Sequence, residues 1–245
     1  MKKNSLLENF KTLFYAIIAA LIIRSFLFEP FSIPSGSMYP TLFVGDYLFV
    51  SKYTYGFSRH SLPLSFPIIP KRIFYKEPKR GDVIVFKTPE DNKTDYIKRL
   101  IGLPGDKVEM ISNQLFINNK KVKREKVKDD VYSNFKVEKY KETLNNGKSY
   151  DVFEFTERVS FYETNSFSEI TVPKDHFFVL GDNRDNSQDS RFVGSIPKSN
   201  LVGKAVVVLL SFDTEKGSWW KVWSWFSALR KDRFFYSLLP NEDKE

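Results

Sequence analysis

The stretch Lys79-Arg80-Gly81-Asp82-Val83-Ile84-Val85-Phe86-Lys87-Thr88-Pro89-Glu90-Asp91-Asn92-Lys93-Thr94-Asp95-Tyr96-Ile97-Lys98-Arg99-Leu100-Ile101-Gly102-Leu103-Pro104-Gly105-Asp106 decides the fold class. Two short apolar runs, 82–86 and 96–101, are enclosed by turn signals, Lys-Arg-Gly-Asp at 79–82 and Pro-Gly-Asp at 104–106. Runs of this length, rich in Val, Ile and aromatic residues and bounded by Gly, Pro and Asp, read as strands. The same texture continues on both sides. Residues 47–50, 177–180 and 205–210 are further strand candidates, with Pro-Ser-Gly at 34–36 and Asn-Asn-Gly at 145–147 as turns between them. No long helical periodicity runs between 29 and 215, so the body is expected to be mainly β.

Working outward, residues 107–172 are more polar and richer in Lys and Glu, with hairpin-like alternation at 114–117 before Asn118-Asn119. They read as an inserted subdomain, leaving 29–106 and 173–215 as the core. Residues 1–28 stand apart. Lys2, Lys3 and Lys11 precede an uncharged run from Thr12 to Ile23; Arg24 interrupts before Phe26-Leu27-Phe28. From Thr12 to Phe28 the segment has the minimum length for a spanning helix, with Arg24 near one end where its stem can snorkel. A cleavable leader would carry a small-x-small pair just after the apolar run, and bulky residues follow instead. An interfacial helix would have a polar face, and 13–23 are apolar all round. A single anchor is expected, its lysines favouring a cytoplasmic N-terminus and an exported remainder. The last segment, 216–245, holds all four tryptophans together with Phe226, Phe234, Phe235, Tyr236 and basic residues. It reads equally as an amphipathic membrane-surface element or as a helix packed on the body.

A chain of 245 residues buries one good-sized core. The net charge of +8 raises nucleic acid or anionic lipid as partners. The lysines are scattered, however, and the densest cluster, Lys120 to Lys128, ends in Asp129 and Asp130, so a solvated basic face is expected and nucleic-acid binding is not. The absence of cysteine excludes a disulfide framework, a thiol nucleophile and thiolate zinc sites. Only His60 and His176 exist, the first in a Ser/Pro-rich loop and the second between an acidic residue and an apolar strand. Both read as structural, no clustered metal ligands are visible, and no cofactor is expected.

A hydrolytic base must then come from another residue type. In Pro34-Ser35-Gly36-Ser37-Met38-Tyr39-Pro40, two prolines and a glycine bracket Ser37 in a tight turn that presents its hydroxyl. An ordinary turn would look the same. Lys98 lies among Tyr96, Ile97, Leu100 and Ile101, where desolvation would lower its pKa from about 10.4 towards neutrality. A solvated edge-strand lysine is the plain alternative. The segment Gly181-Asp182-Asn183-Arg184-Asp185-Asn186-Ser187-Gln188-Asp189-Ser190-Arg191 follows an apolar strand and suits either a polar scaffold or a solvated loop.

Together these segments resemble bacterial type I signal peptidases. The likeness rests on Pro-Ser-Gly-Ser-Met-x-Pro-Thr-Leu at 34–42, Lys-Arg-Gly-Asp-Val at 79–83, Tyr-Ile-Lys-Arg-x-x-Gly-x-Pro-Gly-Asp at 96–106, and Gly-Asp-Asn-Arg-Asp-Asn-Ser-x-Asp-Ser-Arg at 181–191. It covers about 12–210, the insertion and tail matching loosely. It implies a membrane-bound serine endopeptidase with a partly closed antiparallel β core, anchored in the bacterial inner membrane with the catalytic domain outside the cytoplasm. Ser37 would be the nucleophile, Lys98 the neutral general base, Ser35 an oxyanion-hole hydroxyl and Ser187 the orienter of the lysine. Asp189 and Arg191 would form an ion pair that supports the site, with Asp182 and Arg184 in the same scaffold. The partners implied are preprotein signal peptides, the lipid bilayer and proximity to the secretion translocon. The substrate would add as a strand between 29–33 and 95–98, with Phe31, Ile33, Met38, Leu42, Tyr96 and Ile97 admitting small residues at positions −1 and −3. The chain departs from the family pattern in showing one spanning segment where some members have two. It also has Lys-Asp-His at 174–176 where a Gly-containing turn is usual.

Two rivals differ in what they require. A self-cleaving repressor-type protease shares the serine–lysine pair but would carry a DNA-binding domain in place of an anchor. A membrane-tethered, non-enzymatic β-domain would not need Ser37, Lys98 and Ser187 together.

Overall fold

The computed structural model describes residues 2–132, 135–156, 165–213, 216–217 and 225–239. Among the described residues its α-helices are α1 (Lys2–Phe26), the single turn α2 (Ser190–Val193) and α3 (Trp225–Ala228). The strands begin with β1 (Phe28–Ser32), β2 (Asp46–Ser51), β3 (Val83–Lys87) and β4 (Asp95–Gly102). Then come β5 (Lys107–Ile111), β6 (Gln114–Ile117), β7 (Lys120–Lys121), β8 (Lys123–Tyr132), β9 (Phe135–Thr143), β10 (Ser149–Phe155) and β11 (Phe167–Thr171). The chain returns through β12 (His176–Leu180), β13 (Ile196–Pro197), β14 (Leu201–Ser211) and β15 (Tyr236–Ser237).

The molecule is mainly β, as expected, and all five strands read from apolar runs are present. The largest sheet has eight strands in the order β1-β2-β14-β3-β4-β12-β13, with β15 added to β14, all pairs antiparallel. Strand β3 shows why its run is continuously apolar. Val83 and Val85 enter one buried cluster with Met38, Leu48 and Val208, while Ile84 and Phe86 enter another with Leu100, Phe177 and Leu201. Successive side chains point to opposite faces, and both faces are covered. The inserted residues form two smaller sheets, β10-β9-β8 and β11-β5-β6-β7, and a third apolar cluster joins them to Ile101, Phe178 and Leu180 of the main sheet.

Helix α1 stops at Phe26, and Phe28, counted with the apolar segment in the sequence, opens β1. Among the described residues, 8–26 is the one helical stretch long and apolar enough to cross a membrane. Phe14, Ile17, Leu21, Ile22 and Ile23 stand exposed around it. Arg24 bonds Glu29 at 2.7 Å, and the buried Lys52 ammonium meets the same carboxylate at 2.8 Å, which ties the helix end to the sheet.

At the other end, the described residues of the tail pack on the body. Arg233 is buried against Asp46 and also donates to Thr41 O, and β15 pairs with β14. Phe226, Phe234, Phe235 and Leu239 remain exposed. Trp219, Trp220 and Trp223 lie outside the described residues.

Candidate active site

The turn after β1 is pinned on both sides of Ser37. Ile33 donates to Asp46 O, Gly45 donates back to Ile33 O, and Ile33, Met38 and Leu42 are buried. Ser37 is thereby presented beside β4, where Lys98 pairs in register with Ile84. Lys98 Nζ donates to Ser37 Oγ at 2.7 Å and to Ile97 O at 3.0 Å. The exposed Ser35 hydroxyl stands 3.4 Å from Ser37 Oγ. Lys98 is 4% exposed, and burial pushes its pKa down to about 8 against the attraction of Asp189 and Asp182. Neither carboxylate touches the amine, because each holds its own arginine. An amine with this pKa is about a tenth neutral at pH 7, where an ordinary lysine is roughly 0.04% neutral.

Those two ion pairs organise the loop 181–191. Asp182 accepts from Arg99 Nε at 2.7 Å and Nη2 at 2.6 Å, and from Thr41 Oγ1. Asp189 accepts from Arg191 Nε at 2.8 Å and Nη2 at 2.9 Å, and from Gly181 N at 2.9 Å. Burial alone would raise the Asp189 carboxyl; Arg191 and the surrounding donors hold it below the ordinary carboxylate range. Arg184 does not pair with Asp182. It turns into the insertion, where Nη1 donates to Glu142 Oε1 at 2.7 Å and Nη2 to Glu142 Oε2. Tyr150 O–H donates to the same carboxylate at 2.8 Å, and the Arg99 guanidinium lies 4.2 Å from the Tyr150 ring. The insertion, which looked free of chemistry in the sequence, thus braces the loop from behind.

Ser187 takes a place other than the expected one. Lys98 gives its two hydrogen bonds to Ser37 and Ile97, while Ser187 Oγ is buried without a partner in full hydrogen-bond geometry, close enough to Asp189 to favour that charge. It packs on Gly181, where a Cβ would meet Ser187 Oγ at 2.1 Å and Ser37 O at 2.6 Å. Only glycine lets the loop approach the Ser37 backbone so closely. The serine stands beside Ser37 and Asp189.

A cleft of about 700 Å³ opens over this pair. Residues 30–37 form one wall, Val85 and 94–98 the other, and Asn186 and Gln188 the rim. Phe31, Ile33, Tyr96 and Ile97 line it. Met38 and Leu42 do not; both are fully buried in the apolar cluster behind the wall, against which Phe31 and Ile97 pack. Both walls offer free backbone edges. Among the described residues, strand β1 pairs only with β2, and β4 meets β12 only from Arg99 onward, leaving its residues 95–98 unpaired on that side.

The model of the family described as signal peptidase, peptidase S26, matches residues 6–210. The chain belongs to the signal peptidase I family. Signal peptidase I of Rickettsia typhi is 38% identical, with 94% of this chain and 93% of that protein covered. Signal peptidase I of Rickettsia prowazekii is 37% identical, with coverage of 94% and 93%. A crystal structure of a signal peptidase I from Enterococcus faecalis V583 is 31% identical and covers 53% of this chain and 97% of its own, with a TM-score of 0.32. Membership makes this chain a peptidase, which sets aside the non-enzymatic rival.

Among the described residues of this signal peptidase family member, no group of three or more His, Asp and Glu side chains is arranged around a metal position. His60 is buried, bonded to Ser65 Oγ at 3.0 Å and lowered to about 4 by burial and by Arg59; it does not line the cleft. His176 Nδ1 bonds Lys174 O at 2.9 Å. The sequence reading missed four supporting residues. Arg99 holds Asp182, and Glu142 holds Arg184. Asn183 donates from N to Ser37 O and from Nδ2 to Gly36 O, both at 3.1 Å. Tyr132 reaches in from the insertion so closely that a Cβ on Gly36 would lie 1.9 Å from its hydroxyl. Arg99 and Asn183 sat inside segments already singled out and were the findable ones. Nothing local marked Glu142 or Tyr132.

Proposed function

We propose that this chain is a membrane-anchored serine endopeptidase that removes N-terminal signal peptides from exported preproteins after small-x-small sequences. The observation that carries the reading is the 2.7 Å contact between buried Lys98 and Ser37 at the floor of a cleft with two unpaired strand edges. A preprotein segment adds as a strand between β1 and 95–98, its backbone bonds giving affinity and Phe31, Ile33, Tyr96 and Ile97 limiting side-chain size. Ser37 Oγ attacks the scissile carbonyl as its proton passes to neutral Lys98. Ser35 Oγ and the Ser37 N–H are the donors for the developing oxyanion. The resulting Lys98 ammonium protonates the leaving amine, and the same amine then activates the water that hydrolyses the acyl-serine. Ser187 and Asp189–Arg191 steady the loop beside the lysine. Helix α1 anchors the chain with its lysine-bearing N-terminus in the cytoplasm, placing the cleft on the outer side of the bacterial inner membrane, within reach of chains leaving the translocon.

The test incubates the full-length protein in detergent with a preprotein and sequences the product N-terminus. Cleavage after a small residue, lost in a folded Ser37→Ala variant, is expected; cleavage that survives Ser37→Ala overturns the reading.

A further inference from the structure

Gln188 stands between Ser187 and Asp189 yet joins none of the ion pairs of its loop. Its side chain is exposed and lines the cleft with Ser37, Tyr96 and Lys98. Tyr96 O–H donates to Gln188 Oε1 at 2.9 Å. A primary amide carries its acceptor and its two donors at opposite corners, so an occupied Oε1 turns the N–H groups away from Tyr96. No group among the described residues accepts from Nε2. A fixed donor pair is therefore left at the rim of the cleft.

The sheet shows what that donor faces. A peptide strand between β1 and β4 has its carbonyls paired on both sides only while both edges last. Strand β1 ends at Ser32, where the chain bends into the turn carrying Ser37. On the other side, β12 takes over the β4 edge at Arg99, immediately after Lys98. The backbone next to the scissile bond thus runs out of ladder partners where the loop leaving Leu180 brings Gln188 to the rim. A carbonyl that leaves the ladder there has lost its strand donor, and a side-chain N–H can replace it for the modest net gain of one hydrogen bond.

We propose that Gln188, oriented by Tyr96, is a substrate-positioning residue that donates from Nε2 to a backbone carbonyl of the peptide beside the scissile bond. The inference rests on the peptidase mechanism above and adds to it a contact made by the side chain of a residue outside the serine–lysine pair.

The test uses the full-length protein in detergent and peptide substrates. Gln188→Ala is expected to raise KM roughly three- to tenfold, the loss of one neutral hydrogen bond, with kcat changed less. The acid limb of its pH profile should stay in place, since no charge changes. Gln188→Glu keeps the size, loses the donors and adds a charge beside Tyr96, whose ring centroid lies 5.3 Å from Lys98 Nζ. It should raise KM at least as much and also move the acid limb upward, because a nearby carboxylate favours the ammonium form. A second arm needs no variant: peptides with a single thioamide in place of successive carbonyls carry a weaker acceptor at one position each. One position near the scissile bond should weaken cleavage by the parent and add nothing in Gln188→Ala. An unchanged KM in Gln188→Ala, or a thioamide penalty identical in both proteins at every position, overturns the assignment. Cleavage that survives Ser37→Ala would overturn the serine mechanism instead, whatever Gln188→Ala does.

Discussion

Lys98 and Arg99 are consecutive residues of β4, both buried, and their side chains leave the strand on opposite faces with opposite electrostatic outcomes. Arg99 meets Asp182 through two hydrogen bonds; burial opposes its charge, but the carboxylate more than offsets this and raises its pKa. Lys98 meets a hydroxyl and a carbonyl, and its pKa falls to about 8. One strand thus supplies a permanent cation to the scaffold and a removable proton to the cleft. The difference lies in where the carboxylate is, since both side chains are equally dry.

This arrangement costs stability at neutral pH. With the folded pKa near 8 and the unfolded value at 10.5, the unfolded chain binds more protons between those limits, so stability rises with pH across that window. The penalty is fully present below pH 8 and amounts to about 3 kcal/mol. Lys98→Met should therefore melt at higher temperature than the parent at pH 7, with the gap narrowing between pH 8 and 10.5. Circular-dichroism melts at pH 7 and pH 10 check this; a gap independent of pH would contradict it.

The Arg184–Glu142 pair joins the loop 181–191 to the insertion with both side chains only 1% exposed. Glu142→Gln leaves a buried guanidinium uncompensated and should cost about 3–5 kcal/mol. Replacing both residues by Leu should cost less than the sum of the two single changes, because neither charge is then stranded. Melting temperatures of the two single variants and the double decide it.

How much of this was readable beforehand differs by residue. The strands of the main sheet were legible because each is a short apolar run closed by Gly, Pro or Asp. Ser37 and Lys98 were only two of many polar residues near turns and strands, and the family resemblance singled them out. Glu142 was hidden for a physical reason. It follows Glu138, Lys139 and Lys141, the pattern of a solvated strand, and only a partner 42 positions away turns it into a buried anchor. Met38 and Leu42 were over-read in the opposite sense. Proximity to the nucleophile suggested pocket walls, whereas apolar residues flanking a tight turn serve as well to pin it from behind. The tail was ambiguous because its aromatic content fits lipid and protein equally, and the buried Arg233–Asp46 pair is invisible without the fold.

The walls of the cleft bear on specificity. With Phe31, Ile33, Tyr96 and Ile97 packed beside Ser37, a substrate carrying Leu in place of Ala at position −1 should be cleaved at least 10-fold more slowly, the lower bound of a methylene-scale mismatch. Competing the two preproteins in one reaction measures the ratio directly, and equal rates would count against these walls as the pocket.

Neither histidine belongs to the site. The double variant His60→Ala/His176→Ala should keep the parent's kcat, with some loss of stability from the buried His60–Ser65 contact, and chelators should leave activity unchanged. Abolished cleavage in a folded double variant would mean that the base is not Lys98.

The most direct measurement of the serine–lysine mechanism is kcat/KM as a function of pH for the full-length protein, because its acid limb reports the base of the free enzyme. The limb should fall away below an apparent pKa of about 8, the value that burial gives Lys98. Lys98→Arg should be inactive across the range, since a guanidinium keeps its proton at any working pH. A limb at the ordinary lysine value of about 10.4, or substantial cleavage by Lys98→Arg, would contradict a neutral Lys98 as the base that activates Ser37.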